Sequence, residues 1–420
     1  MSSDRASLRS GFSQSIITLR IARPLRFARG ALPSPSVRDA LASSDHQPIG
    51  MAPGMRPGFS IPTAWIGLGS AVGVAMAFGL WAGGYLGPAR VSPLQVTNGF
   101  GPALGASEGA RMPAEFEHHD ALMLGFNELA DFHPQALADI VRAIGGRMEI
   151  LGLIARPEQE ESTRDLLESS GVATDHVHFF LWPAISMWVR DFGPRQLVNG
   201  HARVIDFDYH HAGRDQENQL PMAFAATFGM KIAHCKLTLE GGDFLSNGRG
   251  WCVSSAAMID KNKNVRQYDV ATIGRILKDD FNFSRWTYLM PIDGEPTGHL
   301  DMFLTIADPT TVVLASYEPE EDPENAARMD GNAEVLSAVR IDGKPLRIVR
   351  IPSPAGRDGV WRSYTNVIYA NGVLLVPQYP DRSPELDRRA LEIYRAVLPT
   401  WQIVGIDAST LVAKRGSLHC

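Results

Sequence analysis

Four short segments of this 420-residue chain place reactive polar side chains beside glycine and aromatic residues. They are Trp188-Val189-Arg190-Asp191-Phe192-Gly193-Pro194, Glu240-Gly241-Gly242-Asp243, Gly298-His299-Leu300-Asp301 and Gly416-Ser417-Leu418-His419-Cys420. Together they offer carboxylates, an imidazole and a thiol, the parts for attack on a cationic carbon. A guanidinium spreads its charge and so has a poorly electrophilic carbon. Paired carboxylates can hold its N–H groups and keep it protonated. A thiolate is a suitable nucleophile. An imidazole can protonate departing ammonia and then activate water. Trp188 could lie over the planar cation.

Each segment also has a plainer reading. Asp191 beside Arg190 could form a local ion pair in a turn. Gly241-Gly242 could be a tight turn requiring positive φ. His299 and Asp301 alternate on an expected strand, which puts them on one face, where they could simply hydrogen-bond. Cys420 alone is a thiol at the end of the sequence. The adjacent pairs His118-His119 and His210-His211 suggest a metal, but neighbouring side chains point apart. HExxH is absent, and the three cysteines, Cys235, Cys252 and Cys420, have no CxxC spacing, so no metal is expected.

The elements that would position these residues begin at Met112. Strands are expected at Ala121–Phe126, Met148–Ala155, Val177–Trp182 and Ala202–Tyr209. Helices are expected at Pro134–Ile144, Glu158–Ser169, Gln219–Phe228, Val265–Leu277, Ala326–Val339 and Leu386–Val397. Hairpins are expected over Phe244–Ser255, around Asn247-Gly248, and over Asn366–Pro377, around Asn371-Gly372. Further strands fall at Met302–Ala307, Thr311–Ser316, Leu346–Ile351 and Gln402–Ile406. The unit of two strands, a helix and a strand recurs about five times, which suggests radial closure. An open mixed α/β sheet is the alternative.

Hydrophobic residues make up 45% of the chain and charged residues 20%, which excludes global disorder. A net charge of −6 argues against a nucleic-acid binder. Three cysteines are too few for a disulfide framework. Residues 1–56 hold eight Arg, no Lys and only Asp4, Asp39 and Asp45 as acids, and read as a disordered or processed leader. A start at Met51 or Met55 would also account for it. Residues 57–90 form a hydrophobic segment, with an apolar heart at 61–86 flanked by Arg56 and Arg90. It is long enough for one membrane helix or a signal peptide. Residues 91–110 read as a linker, and residues 111–420 as the catalytic domain. An exported or membrane-anchored protein on the periplasmic or extracellular side is expected, or a cytoplasmic one if the segment is unused.

From Met112 onward the chain resembles the agmatine deiminase and bacterial peptidyl-arginine deiminase family of the pentein superfamily. The resemblance rests on an ordered set. It comprises Met112-Pro113-Ala114-Glu115-Phe116-Glu117-His118, Trp188–Pro194, Glu240-Gly241-Gly242, Gly298-His299-Leu300-Asp301-Met302-Phe303, Tyr364-Thr365-Asn366, Val376-Pro377-Gln378-Tyr379 and His419-Cys420. It implies an α/β five-bladed propeller of repeated ββαβ units. It implies Cys420 as nucleophile, His299 as general acid/base, and Asp191 and Asp301 as guanidinium ligands. Trp188 and Arg190 would shape the pocket, with Asn366 close by. No cofactor or metal is implied.

The expected reaction converts a guanidino group to a ureido group and releases ammonia. Agmatine and peptidyl-arginine are the candidate substrates, and the oligomeric state is left open. Arg214 could meet a substrate α-carboxylate, or be an ordinary surface residue. The family usually continues past its His-Cys pair, whereas this sequence ends there. An α-carboxylate on Cys420 is expected to disfavour the thiolate. Lys414-Arg415-Gly416-Ser417 replaces a more Gly-rich run. A membrane-anchored guanidinium-binding protein without turnover is the rival reading, and an amidinotransferase or dihydrolase of the same superfamily a third.

Overall fold

The computed structural model describes residues 109–199 and 203–420. The expected leader (1–56), the hydrophobic segment (57–90) and nearly all of the linker (91–110) lie outside these residues. Among the described residues no helix is long and apolar enough to cross a membrane.

The described chain is α/β and contains five three-stranded sheets and one two-stranded ribbon. The first sheet runs through β1 (Ala121–Leu124), α1 (Phe126–Phe132), α2 (Pro134–Ile144), β2 (Glu149–Ile154), α3 (Glu158–Ser169) and β3 (Val177–Leu181). All its strands are parallel, with Ala121 opposite Glu149 and Ile150 opposite Val177. This departs from the expected ββαβ unit. The reason is the helical connection after β1, since a helical crossover returns the chain to the same end of the sheet.

The other four sheets follow the expected plan of an antiparallel pair, a helical crossover and a parallel third strand. The second comprises α4 (Val189–Phe192), β4 (Arg195–Leu197), β5 (Arg203–Asp208), α5 (Asp215–Thr227) and β6 (Lys231–Thr238). The third has β7 (Phe244–Ser246), β8 (Trp251–Ser255), α6 (Ala256–Arg266), α7 (Val270–Phe281) and β9 (Arg285–Leu289). The fourth has β10 (Leu304–Asp308), β11 (Thr311–Ser316), α8 (Pro323–Ser337), the ribbon β12 (Arg340–Ile341) and β13 (Lys344–Pro345), and β14 (Arg347–Pro352). The fifth has β15 (Ile368–Ala370), β16 (Val373–Gln378), α9 (Pro384–Val397) and β17 (Gln402–Asp407), followed by α10 (Ser409–Val412).

Local sequence explains most boundaries. In α2, Pro134 occupies the first turn, where no N–H is needed, and Gly145 ends the helix at φ 55°. Leu137, Ile140, Val141 and Ile144 make its buried stripe. Asn371 (φ 45°) and Gly372 (φ 88°) turn β15 into β16, the left-handed pair that a two-residue hairpin demands.

The helix expected at Val265–Leu277 is two helices. Gln267 adopts φ 60° and stops α6, and the Asp269 carboxylate caps α7 by accepting the Thr272 N–H at 2.8 Å. The strand expected from Met302 begins at Leu304. Asp301 therefore sits on a 3₁₀ turn, Leu300–Met302, with His299 just before it, and neither is on a strand.

Apolar residues from the sheets and their helices form the core. One cluster joins Leu137 and Ile140 of α2 to Leu375 of β16 and Tyr394 of α9. Another joins Val253, Leu289, Leu304 and Val312 of β8 to β11. The reactive segments lie just outside strand ends: α4 before β4, a 3₁₀ turn (Gly241–Asp243) before β7, the Leu300–Met302 turn before β10, and the stretch after α10.

Candidate active site

Tertiary folding brings three of these segments to one imidazole. His299 precedes its 3₁₀ turn in extended conformation and is 2% exposed. Its Nε2 lies 2.6 Å from Oε2 of Glu240, and its Nδ1 lies 3.8 Å from Oδ1 of Asp191. The other Glu240 oxygen is 2.7 Å from Nζ of Lys261 and 2.9 Å from Nε2 of His211.

The two glycines after Glu240 are there for space. They open a 3₁₀ turn, but neither has positive φ, so the expected conformational requirement fails. A Cβ on Gly242 would lie 2.5 Å from Nδ1 of His299, and one on Gly241 would lie 1.7 Å from the carbonyl oxygen of Arg190. Only hydrogen at these positions lets the ring and α4 approach the turn.

Cys420 stands close to His299. One imidazole nitrogen, one Asp301 carboxylate oxygen and the Cys420 sulfur lie within 4.8 Å of one another. Asn366 donates its side-chain N–H to Sγ at 3.2 Å. Its Oδ1 accepts the His419 backbone N–H at 2.9 Å, which fixes the orientation of the amide. The backbone oxygen of Cys420 accepts the Arg190 backbone N–H at 2.9 Å, joining the Cys420 segment to α4.

The charges shape one another. Burial favours a neutral His299 ring, but Asp191, contact with Cys420, and Glu240 outweigh it and hold the imidazole well above its ordinary range. Burial also pushes up Glu240. The hydrogen bonds from His211 and His299 and the Lys261 charge reverse that and keep it ionised. Asp191 is raised by burial against the pull of His299, with Glu240 and Asp301 adding repulsion. Asp301 resists burial through His419, then His299 and Arg190, and stays low. The Cys420 thiol is pushed up to about 11 by burial and by Asp301, with His299 opposing.

The remaining residues singled out in the sequence fall around this centre. The Arg190 guanidinium donates Nε–H to the Gly241 carbonyl at 2.9 Å and pairs with Glu115. The Trp188 indole packs on Gly416, where a Cβ would lie 2.7 Å from the ring. Trp188, Arg190 and Cys420 also border a mainly apolar cavity with Leu124, Met187 and Leu418. Arg214 is half-buried at the start of α5, 3.5 Å from Oε1 of the buried Glu217.

Sequence reasoning named no role for Glu115, Glu240, His211, Lys261 or His419. Glu115, Glu240 and His419 lie inside the quoted motifs, so a signal existed. His211 was marked only as half of a His-His pair and Lys261 not at all, because only the fold brings them to Glu240. The two His-His pairs are split. Buried His119 bonds the Glu115 carbonyl at 2.5 Å, and burial pushes its ring down to about 3, while His210 is exposed and His211 turns to Glu240.

Among the described residues two clusters have metal-ligand chemistry, His299-Asp301-Cys420 and Asp191-Glu240-His299. Both depend on His299. A protonated imidazole with Nε2 on Glu240 has no lone pair for a metal. The same arrangement suits a planar cation. Oδ1 of Asp191 and Oδ1 of Asp301 are buried and have no hydrogen-bond partner.

Comparison with known proteins gives a consistent picture. Residues 111–420 match the model of the Porphyromonas-type peptidyl-arginine deiminase family. A Legionella pneumophila (strain Paris) protein provisionally named an agmatine deiminase is 24% identical, over 74% of this chain and 94% of its own. The solved C. jejuni agmatine deiminase superposes with a TM-score of 0.63 at 24% identity, over 74% of this chain and 94% of that one. The Enterococcus faecalis agmatine deiminase superposes with a TM-score of 0.65 at 22% identity, over 76% and 97%. The solved structures share the fold.

Proposed function

The chain belongs to the Porphyromonas-type peptidyl-arginine deiminase family, and from that premise we propose that it hydrolyses the guanidino group of agmatine or of peptidyl-arginine through a covalent thiouronium on Cys420. Its reaction class is hydrolysis of amidine carbon–nitrogen bonds. The observation that carries the reading is the pair of buried oxygens without a hydrogen-bond partner, Asp191 Oδ1 and Asp301 Oδ1, beside Cys420 and His299.

In this mechanism Asp191 and Asp301 accept N–H groups of the guanidinium and hold its carbon against the sulfur. The bound cation lies among the carboxylates that otherwise raise the thiol, so binding favours the thiolate. Asn366 steadies the sulfur through its N–H. The thiolate attacks carbon and forms the C–S bond. Protonated His299 gives its proton to a departing nitrogen, the C–N bond breaks, and ammonia leaves. Neutral His299 then takes a proton from water, which attacks the thiouronium carbon. Collapse breaks the C–S bond and gives the ureido product and a free Cys420. Trp188 and Arg190 shape the pocket, and Arg214 is the candidate for a substrate α-carboxylate.

Agmatine would give carbamoylputrescine, a step towards putrescine, and is favoured by the names of the relatives. A peptide substrate is favoured by the family name and by the hydrophobic segment at 57–90, which suits export or anchoring. The four ββαβ sheets support a five-bladed propeller closed around the site, with 111–420 as the catalytic domain. The test is ureido and ammonia formation with agmatine and with a peptide ending in Arg. Product from one and not the other names the substrate, whereas binding without either product supports the guanidinium-binding protein. Removing residues 1–110 should leave that turnover intact, and its loss on removal would overturn the domain assignment.

A further inference from the structure

Behind Asp301 lies a second set of charges that the proposed chemistry does not use. Asp301 Oδ2 is 2.7 Å from Nδ1 of His419. The other ring nitrogen of His419, Nε2, is 3.0 Å from Oε2 of Glu115. The second Glu115 oxygen pairs with the Arg190 guanidinium. All four residues are buried. They come from distant parts of the chain: Glu115 from the stretch before β1, Arg190 from α4, Asp301 from its 3₁₀ turn, and His419 from the residue before the nucleophile.

Both nitrogens of one imidazole thus face carboxylate oxygens. An ionised carboxylate only accepts, and a neutral imidazole has one donor. The Asp301 contact is a hydrogen bond and the Glu115 contact an ion pair, and both meet opposite charge when the ring carries two protons. Arg190, Glu115, His419 and Asp301 then alternate in sign, so each buried charge has an opposite neighbour. The ring's surroundings agree: burial and Arg190 oppose its charge, and Glu115 and Asp301 outweigh them and raise it. Glu115 in turn is held low, against burial, by Arg190 and His419.

We propose that His419 is a positioning residue, a buried imidazolium clamped between Glu115 and Asp301 that binds Oδ2 of Asp301 and leaves Oδ1 for the substrate guanidinium. The inference rests on the deiminase reading, in which Asp301 receives that cation. The same residue also steers Asn366, because its backbone N–H occupies Asn366 Oδ1 and turns the amide N–H towards sulfur. His419 therefore couples the substrate carboxylate to the nucleophile without touching substrate.

Two readouts test this. The first needs no turnover. In protein labelled with ¹⁵N-histidine, the His419 signal is the one lost in His419→Gln. It should still show two protonated ring nitrogens at about pH 8, above the ordinary imidazole range. In Glu115→Gln the ring should lose its proton at lower pH. A His419 ring that is neutral at pH 7 overturns the proposal.

The second readout is kinetic. Glu115→Gln, checked for native circular dichroism, should lower kcat/KM about tenfold or more, chiefly through KM. It should also steepen the acidic fall of kcat/KM below the limb set by Asp191, because a less protonated His419 no longer holds Asp301 low. A merely structural residue would leave that slope unchanged, and an unchanged slope with unchanged KM overturns the proposal. If the native enzyme forms no ureido product, the deiminase reading fails, and the ring protonation alone decides the role of His419.

Discussion

Oε2 of Glu240 lies 2.6 Å from Nε2 of His299, so the imidazole of the candidate site is oriented by a carboxylate held from behind by Lys261 and His211. This contact assigns the two ring nitrogens different tasks. Nε2 is committed to Glu240, and Nδ1 lies 3.8 Å from Oδ1 of Asp191. The raised imidazole follows in part from the same contact.

Replacing Glu240 with glutamine keeps the shape and removes the charge. The His299 pKa should fall, because a contribution that raises it is lost. The protonated ring that releases ammonia is then depleted at lower pH, so the alkaline limb of kcat should move down. A loss of about 10²-fold or more in kcat is expected for impaired proton transfer. An unmoved limb with full kcat would count against Glu240 as the orienting group.

Gly242→Ala isolates geometry from charge. Gly242 does not have positive φ, so alanine brings no backbone strain of that kind. Its Cβ would, however, sit 2.5 Å from Nδ1 and 2.7 Å from Cγ of His299, and the ring must shift. Displacement near 1 Å can cost about 10²-fold in rate. Turnover should drop by that order while the circular dichroism spectrum stays native. Full turnover would mean that the ring needs no fixed seat.

Asp191 should set an acidic limb above the ordinary carboxylate range of about 3.9. Burial and the neighbouring carboxylates raise it, so its proton returns at higher pH than usual. The ionised form is the one that binds a guanidinium, so kcat/KM should fall as pH drops through the raised value. Asp191→Asn should lower kcat/KM and abolish that limb. A limb retained in the asparagine variant would assign it to another group.

Among the cysteines only Cys420 should matter. Cys420→Ser should abolish ureido formation. Cys235→Ser and Cys252→Ser should leave it largely unchanged, since both thiols are buried in strands and pushed far up by that burial. In the free enzyme, alkylation of Cys420 by iodoacetamide should keep rising towards pH 11, following a thiol pushed up to about 11. A plateau near the ordinary thiol range of about 8.5 would show that Asp301, Asp191 and burial do not control it.

What the sequence by itself determined was local or carried by motifs. Pro134 and Gly145 bracket α2, and Asn371-Gly372 demands a hairpin, because backbone φ limits act within a few residues. Cys420, His299, Asp191 and Asp301 were legible through their ordered motifs. Chain folding alone decided what surrounds them. Lys261 reaches Glu240 from α6 and His211 from the loop after β5, and nothing in their own neighbourhoods points to that carboxylate. His419 meets Glu115 across almost the full described chain. The space that Gly242 leaves for His299 exists only once two distant turns are packed together. Hydrogen bonds and burial of this kind depend on distances between remote segments, and no periodicity in the sequence encodes those distances.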